Sequence, residues 1–428
     1  MTAASAATPQ AQPTPRPPLK HLDAAFAELL AQAAPLAGTG RVATFDADGR
    51  VLAEDLVAEL DVPAHDNSSM DGYALRTADL AASEVLQVTQ RIAAGASGHS
   101  LEAGSAARIF TGAPVPPGAD AVVMQEDCEV LDGSRVRIRV QAQSGQWIRR
   151  AGEDVRRGST VLQRGTRLDP AALGLAASLG HASVLVARRP RVALCSTGDE
   201  LVMPGEVAPA DMKPGAIYNS NRFFLRALMV RLGCTVTDLG IVADEREATV
   251  ETLRSAARSH DLILTSGGVS VGEEDHVKPA VERLGQLGLW QIAMKPGKPF
   301  AYGRLNRETP ADGFAHFMGL PGNPVSSFVT FLLLVRPFLL RLQGVADVPM
   351  LPGVEAVRAD FDWPKADKRR EFLRVRRNGQ GGLDLFANQS SGVLTSAVWA
   401  DGLVDMAAGH TVAHGDSVSF IPFSTLLA

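Results

Sequence analysis

Residues 262–276 read LILTSGGVSVGEEDH, and this stretch constrains the fold more than any other. Leu262, Ile263, Leu264 and Thr265 form a short apolar run with the composition of a buried strand. Ser266, Gly267 and Gly268 end it, Ser270 and Gly272 continue a loop of small residues, and Glu273, Glu274 and Asp275 precede a helix-compatible run at 277–284. A strand that stops at a glycine-rich loop before a helix leaves backbone N–H groups free, which suits a phosphate. Carboxylates repel phosphate, but a divalent cation such as Mg²⁺ removes the conflict by accepting oxygen ligands from both. The pattern indicates either a metal-assisted nucleotide or phosphate site or a plain βα turn with a solvated acidic helix start.

The surrounding chain has a regular α/β rhythm. The strand-like run RVALCS (191–196) leads into Thr197, Gly198, Asp199 and Glu200. A helix is expected at 221–232, with Leu225, Leu228, Met229 and Leu232 on one face and Gly233 as its stop. A strand at 235–242 ends near Asp244, a helix covers 247–258, and 262–265 is the next strand. Such alternation predicts a parallel sheet covered on both faces, with ligands beyond the carboxyl ends of the strands. The clusters at 198–200, Asp244 and 267–275 fall at those ends. Two further loops join them. A strand predicted at 290–294 runs into KPGKP (295–299), where prolines hold the ammonium groups of Lys295 and Lys298. The run 317–320 leads to PGNPVSS (321–327), with Asn323 as cap, Pro324 in the first helical turn and the Ser326 hydroxyl on the ligand side.

Flanking segments differ in texture. Residues 22–34 are helix-like, and 50–60 suit a helix or an extended link. The segment AHDNSSMDGYALR (64–76) is either a turn that holds its own backbone or a site loop offering Asp66, Asn67, Ser69 and Asp71. Short alternating runs at 85–150 predict a small β domain, which contains TGAPVP (111–116). QWIRRAGED (146–154) suits surface ion pairing, anion binding or an interface. Residues 168–179 look helical, with Asp169 and Pro170 as cap and first turn. After Gly344 alternation returns and predicts a C-terminal β domain carrying Arg369, Arg370, Arg374, Ser390 and Ser391.

Composition narrows the class. A chain of 428 residues suggests about three domains. A formal charge of −5 argues against a broad nucleic-acid surface. No uninterrupted apolar run approaches the ~18 residues of a membrane span; residues 328–340 contain Arg336 and Pro337 and read as a buried helix. The Ala- and Pro-rich residues 1–20 read as a disordered tail on a cytoplasmic protein. Cys128, Cys195 and Cys234 form no CxxC, which argues against structural zinc and a disulfide framework.

Together the motifs DNSSMDGYA (66–74), TGAPVP (111–116), STGDEL (196–201), SGGVSVGEED (266–275), KPGKP (295–299) and LPGNPVS (320–326) resemble the molybdopterin molybdenumtransferase (MoeA) family, whose eukaryotic relatives include the gephyrin E domain. The resemblance implies an α/β multidomain protein. Residues 21–56 with 153–189 would form an elongated domain, and 57–152 an inserted β domain. Residues 190–343 would form a three-layer α/β/α pterin-binding domain, and 344–428 a C-terminal β barrel. It also implies a homodimer with shared active clefts. The implied reaction is Mg²⁺-dependent insertion of molybdate into adenylylated molybdopterin with release of AMP. A molybdopterin adenylyltransferase would supply the substrate and apo-molybdoenzymes would take the product.

Carried residue by residue, the resemblance places functional acids at Asp71, Asp154, Glu200, Asp244 and Asp275 and a hydroxyl at Thr111. Glu200, Asp244 and Asp275 would place Mg²⁺, and Asp71 and Thr111 would approach from the partner subunit. Lys295, Lys298 and Ser326, aided by Arg370 and Ser391, would contact molybdate. Ser266, Gly267, Gly268, Ser270, Gly272, Pro321 and Pro324 would shape the pterin phosphate pocket. The chain departs from the family pattern at Ser69, His276 and Gln291. Rival readings are a molybdopterin adenylyltransferase of the same α/β fold and a catalytically silent dimeric scaffold.

Overall fold

The structure is a computed structural model that describes residues 19–243, 245–268 and 276–427. The chain forms two compact units, one of residues 40–186 and one of residues 1–39 with 187–428.

The larger unit is built on a six-stranded sheet. Its strands are β1 (Arg191–Thr197), β2 (Thr235–Val242), β3 (Leu262–Ser266), β4 (Gly285–Gln291), β5 (Pro299–Asn306) and β6 (Phe314–Leu320), in the order β2-β1-β3-β6-β5-β4. β2, β1, β3 and β6 are parallel, whereas β5 runs antiparallel to β6 and β4 antiparallel to β5. The expected all-parallel sheet is therefore a mixed one. Its last three strands are joined by the short connections 292–298 and 307–313, which reach only an antiparallel neighbour; a parallel partner needs a long crossover. The strand predicted at 290–294 is likewise split. β4 ends at Gln291, and Met294–Lys295 pairs instead with Arg370 and Glu371 of the C-terminal region.

Both faces of the sheet are apolar because helices cover both. Val192, Leu194, Leu262, Leu264, Met318 and Leu320 share a core with α1 (Asn221–Arg231). Their alternates Ala193, Cys195, Ile263 and Phe317 pack with α2 (Arg246–Ser259) and α3 (Val277–Leu284). The helix Pro324–Leu342 is long and apolar enough to cross a membrane, yet 89% of it is buried in the core. It comprises α4 (Pro324–Thr330), a wide π turn over Phe331–Val335 and α5 (Arg336–Leu342). Pro337 offers no N–H to the ladder, and beside it Arg336 Nε donates to the Leu332 carbonyl at 3.1 Å.

The C-terminal region is a closed five-stranded barrel of Glu355–Ala359, Arg370–Arg377, Gly382–Leu385, Gly402–Met406 and Ser417–Pro422. Strand 370–377 pairs with both 382–385 and 402–406, which closes the ring. Val357, Leu373, Val375, Val404 and Phe420 fill the interior.

In the smaller unit, Gly72–Leu75, Val85–Ile92, Ser105–Ile109, Ala121–Met124, Cys128–Val130 and Arg135–Ile138 form a six-stranded sheet. Residues 50–60 form no helix; within them the short strand Leu56–Val57 pairs with strand Thr160–Leu162. The helix Pro170–Ser178 begins where Asp169 accepts the Ala172 N–H at 2.7 Å. All three cysteines are free, and burial pushes the Cys195 thiol up to about 12, an inert state.

His316 lies buried on β6, its Nδ1 2.9 Å from the Tyr302 hydroxyl. Burial, reinforced by the Arg304 charge, lowers its pKa from 6.5 to about 4. The unfolded chain takes up a proton that the folded chain refuses, so this contribution is complete above pH 6.5 and is lost as pH falls towards 4. Chemical denaturation should show up to about 3 kcal/mol lost from this site across that window, and His316→Phe should flatten the slope. An unchanged slope in the variant would contradict the assignment.

Candidate active site

The chain moves outward from β1 to β2 and then returns to β3 on the other side of β1. Loops leaving β1 and β3 therefore part in opposite directions and open a crevice at the carboxyl ends. A cleft of about 660 Å³ lies there, lined by Thr197 from β1, Ser266, Gly267 and Gly268 after β3, and Pro321, Gly322 and Asn323 after β6. Glu200, Tyr218, Asn219 and Asn221 form another wall, and Pro299, Pro324 and Ser326 complete it.

The glycines are required by space and by backbone. Gly267 and Gly268 have φ of +90° and +67°. A Cβ at 267 would lie 2.8 Å from the Thr197 carbonyl oxygen, and one at 268 would lie 2.5 Å from Val277 Cγ2. The buried Asn221 side chain fixes the loops. Its Nδ2 donates to Ser266 Oγ at 2.8 Å and to the Gly322 carbonyl at 2.7 Å, while Gly267 N–H donates to the Leu320 carbonyl at 3.1 Å. Asn219 Oδ1 accepts the Arg222 N–H at 3.3 Å, and its Nδ2 is a buried donor without a partner among the described residues. Thr197 Oγ1 is also buried and has no partner among the described residues. Unsatisfied polar atoms in a cleft wall are costly and mark where a polar ligand would compensate them.

Ser266, Gly267, Gly268, Pro321, Pro324, Ser326 and Glu200 are thus brought together. The Glu200 carboxylate is exposed and forms no ion pair among the described residues. Asp244, Ser270, Gly272 and Asp275 lie outside the described residues, and among those described no three acid, His or Cys side chains cluster as a metal site. Ser391 meets α4 through its backbone, accepting the Val325 N–H at 2.9 Å. Lys298 is half-buried with no carboxylate partner among the described residues, next to Pro299 of the cleft wall. Lys295 and Arg370 are placed elsewhere. Lys295 Nζ lies 2.6 Å from Glu371, and Arg370 grips Asp405 through Nε at 2.7 Å and Nη2 at 2.6 Å.

Asp71, Thr111 and Asp154 belong to the smaller unit. Asp71 Oδ1 accepts both the Thr111 N–H and the Thr111 hydroxyl at 2.8 Å, which leaves Oδ2 open. Those two bonds, with the nearby Arg108 charge, keep the Asp71 pKa below the usual carboxylate value. Asp154 bonds neither of them; its N–H donates to the Val62 carbonyl at 3.1 Å. Within 146–154 an ion pair forms, with Arg150 Nη1 2.6 Å from Asp66.

Asn219 and Asn221 were not anticipated as site residues. Their signal is YNSN (218–221), a polar run between the short strand Ile217–Tyr218 and α1.

A polar cleft at the switch point of an α/β sheet, with a closed barrel in the same unit, defines a multidomain α/β protein with a candidate ligand site. Comparison with known proteins sharpens this. Family models match residues 20–180 (MoeA N-terminal region, domain I and II), 193–341 (probable molybdopterin binding domain) and 356–423 (MoeA C-terminal region, domain IV). Molybdopterin molybdenumtransferase of Haemophilus influenzae is 40% identical over 389 residues, 89% of this chain and 93% of its own. Molybdopterin molybdenumtransferase 2 of Mycobacterium tuberculosis is 40% identical over 84% of this chain and 89% of its own. The crystal structure of the molybdopterin biosynthesis moeA protein from Pyrococcus horikoshii OT3 superposes with a TM-score of 0.81 at 27% identity, covering 95% of this chain and 100% of that one. The chain belongs to the molybdopterin molybdenumtransferase family, transferases of molybdenum cofactor biosynthesis.

Replacing Asn221 by Ala strands Ser266 Oγ and the Gly322 carbonyl at once. Equilibrium unfolding should show a loss of about 2 kcal/mol, and ligand turnover should fall with it. Wild-type stability together with wild-type turnover would remove Asn221 from its bridging role.

Proposed function

We propose that this cleft takes adenylylated molybdopterin and molybdate, cleaves the pterin–AMP anhydride and places molybdenum on the dithiolene, with release of AMP and a requirement for Mg²⁺. The observation that carries the reading is the set of donors at the switch point. The Gly267–Gly268 loop, the Thr197 hydroxyl and the Asn219 Nδ2, both without partners among the described residues, all line one cleft with the exposed Glu200 carboxylate. A glycine-rich turn after a strand gives a pyrophosphate close access to the backbone, and buried side-chain donors suit polar ligand atoms. A cleft of about 660 Å³ lies within the usual size for a ligand of this kind.

An exposed carboxylate with no ion-pair partner among the described residues, in a cleft that also offers a hydroxyl oxygen, is donor chemistry that a hard cation accepts. Glu200 would hold Mg²⁺ together with Asp244 and Asp275, and when bound the ion would neutralise charge on the phosphate oxygens. Lys298 and Ser326 would receive molybdate, an anion drawn to an ammonium that no carboxylate of the described residues pairs. Asp71 would act as a fixed carboxylate, since its bonds to Thr111 favour the charged form. Together with Thr111 it would enter the cleft of the partner subunit in a homodimer. The inserted β domain of 57–152 would carry the pair, and Asp154 would lie at its edge. The enzyme would be cytoplasmic, fed by a molybdopterin adenylyltransferase and discharging to apo-molybdoenzymes.

A subunit-mixing experiment tests this arrangement. Asp71→Asn and Glu200→Gln homodimers should each be inactive in AMP release. Shared clefts give every mixed dimer one site with both native residues, so an equal mixture should recover about one quarter of wild-type activity. No recovery, with exchange of subunits verified, would contradict the shared cleft.

A further inference from the structure

The KPGKP loop carries two lysines in different electrostatic situations. Lys295 Nζ lies 2.6 Å from Glu371 Oε1 and 3.5 Å from Asp367 Oδ2. Glu371 is buried in the barrel wall, and its second oxygen accepts the Trp363 indole N–H at 3.1 Å. Asp367 is held in turn by Arg369 at 2.8 Å, and that bond keeps the Asp367 pKa far below the usual carboxylate value. Two cations therefore face two anions, and the buried Arg374 adds a further positive charge that Glu371 also feels. The backbone is stitched at the same place. Met294 and Lys295 pair in parallel with Arg370 and Glu371, and Arg370 N–H donates to the Ala293 carbonyl at 3.0 Å.

The loop's other side is fixed as tightly. Gly297 has φ of +109°, and a Cβ there would lie 2.4 Å from Thr330 Oγ1 of α4. The Lys298 carbonyl accepts the Ile292 N–H at 2.8 Å, and Pro299 forms part of the cleft wall. A rigid loop clamped between barrel and helix thus turns one lysine to a buried carboxylate and leaves Lys298, next to Pro299 of the cleft wall, with no carboxylate partner among the described residues.

We infer that Glu371 is a positioning residue: through Lys295 this barrel carboxylate holds the 295–299 loop so that Lys298 meets molybdate. The inference rests on the assignment of Lys298 to molybdate made above. It gives the barrel a part in the transferase site, and it gives Lys295 a role distinct from contact with the anion. Since the pair acts as one unit, removing either member should have the same effect as removing both.

The test is the molybdate dependence of AMP release by the full-length enzyme at fixed Mg²⁺ and saturating adenylylated molybdopterin. Glu371→Gln keeps the size and the acceptor for Trp363 but loses the charge. Glu371→Gln and Lys295→Met should each raise the half-saturating molybdate concentration about tenfold, with the rate at saturation within about twofold, and the double variant should match the singles. Lys295→Arg, which preserves the ion pair, should stay near wild type. If Lys295 is itself an anion ligand, Glu371→Gln frees its charge and lowers the molybdate requirement, which overturns the inference. Additive effects in the double variant overturn it as well. Lys298→Ala separates the two levels: if it leaves molybdate dependence unchanged, the parent assignment fails, whereas a shift there with none in Glu371→Gln defeats the positioning role alone.

Discussion

One carboxamide holds the cleft together. Asn221 Nδ2 reaches Ser266 Oγ at the end of β3 and the Gly322 carbonyl after β6, so the first turn of α1 fixes both loops that the ligand would touch. These contacts lie in a buried setting, where a hydrogen bond has no water competing for it and a missing partner is costly. The apolar sheet makes the bridge possible. Leu262, Leu264 and Leu320 anchor the strand ends in one core with Leu225 and Met229 of α1, so Asn221 arrives at a fixed height above the sheet. Gly267 and Gly268 then turn sharply against Thr197, in space that any side chain would fill.

Charge is sorted around that frame. Arg370 is committed to Asp405 and Asp23, Lys295 to Glu371, and Arg369 to Asp367. Glu200 and Lys298 are left without ion-pair partners among the described residues, one acid lining the cleft and one base beside it. The proposed ligands, a metal-bridged pyrophosphate and an oxyanion, would need charges of both signs that do not cancel each other. Pairing Arg370, Lys295 and Arg369 with barrel and helix carboxylates is consistent with that division.

Much of this was legible in the sequence. The run LILTSGGVSVGEEDH declared a strand, a tight loop and a helix, and β3 ends at Ser266 as the glycines require. Helix α1 stops where Gly233 stands, and Asp169 caps its helix, because both signals are local backbone chemistry. What escaped depends on partners distant in sequence. The strand Gly402–Met406 closes the barrel through pairing with residues some thirty positions away, and a five-residue run with one Asp gives little local signal. The antiparallel half of the sheet follows from connection length rather than from hydrophobic pattern. Lys295 and Lys298 look alike within KPGKP; Glu371 and Asp367, distant in sequence, separate them. Asn221 reads as an ordinary helix start until the β3 and β6 loops are placed beside it.

The most direct test of the central claim is AMP release from adenylylated molybdopterin by the purified enzyme at fixed Mg²⁺, with and without molybdate. The account predicts release that depends on molybdate and on the metal. Tight binding of the nucleotide with no release in the presence of molybdate would contradict it, and would leave the cleft a binding site without the proposed transfer chemistry.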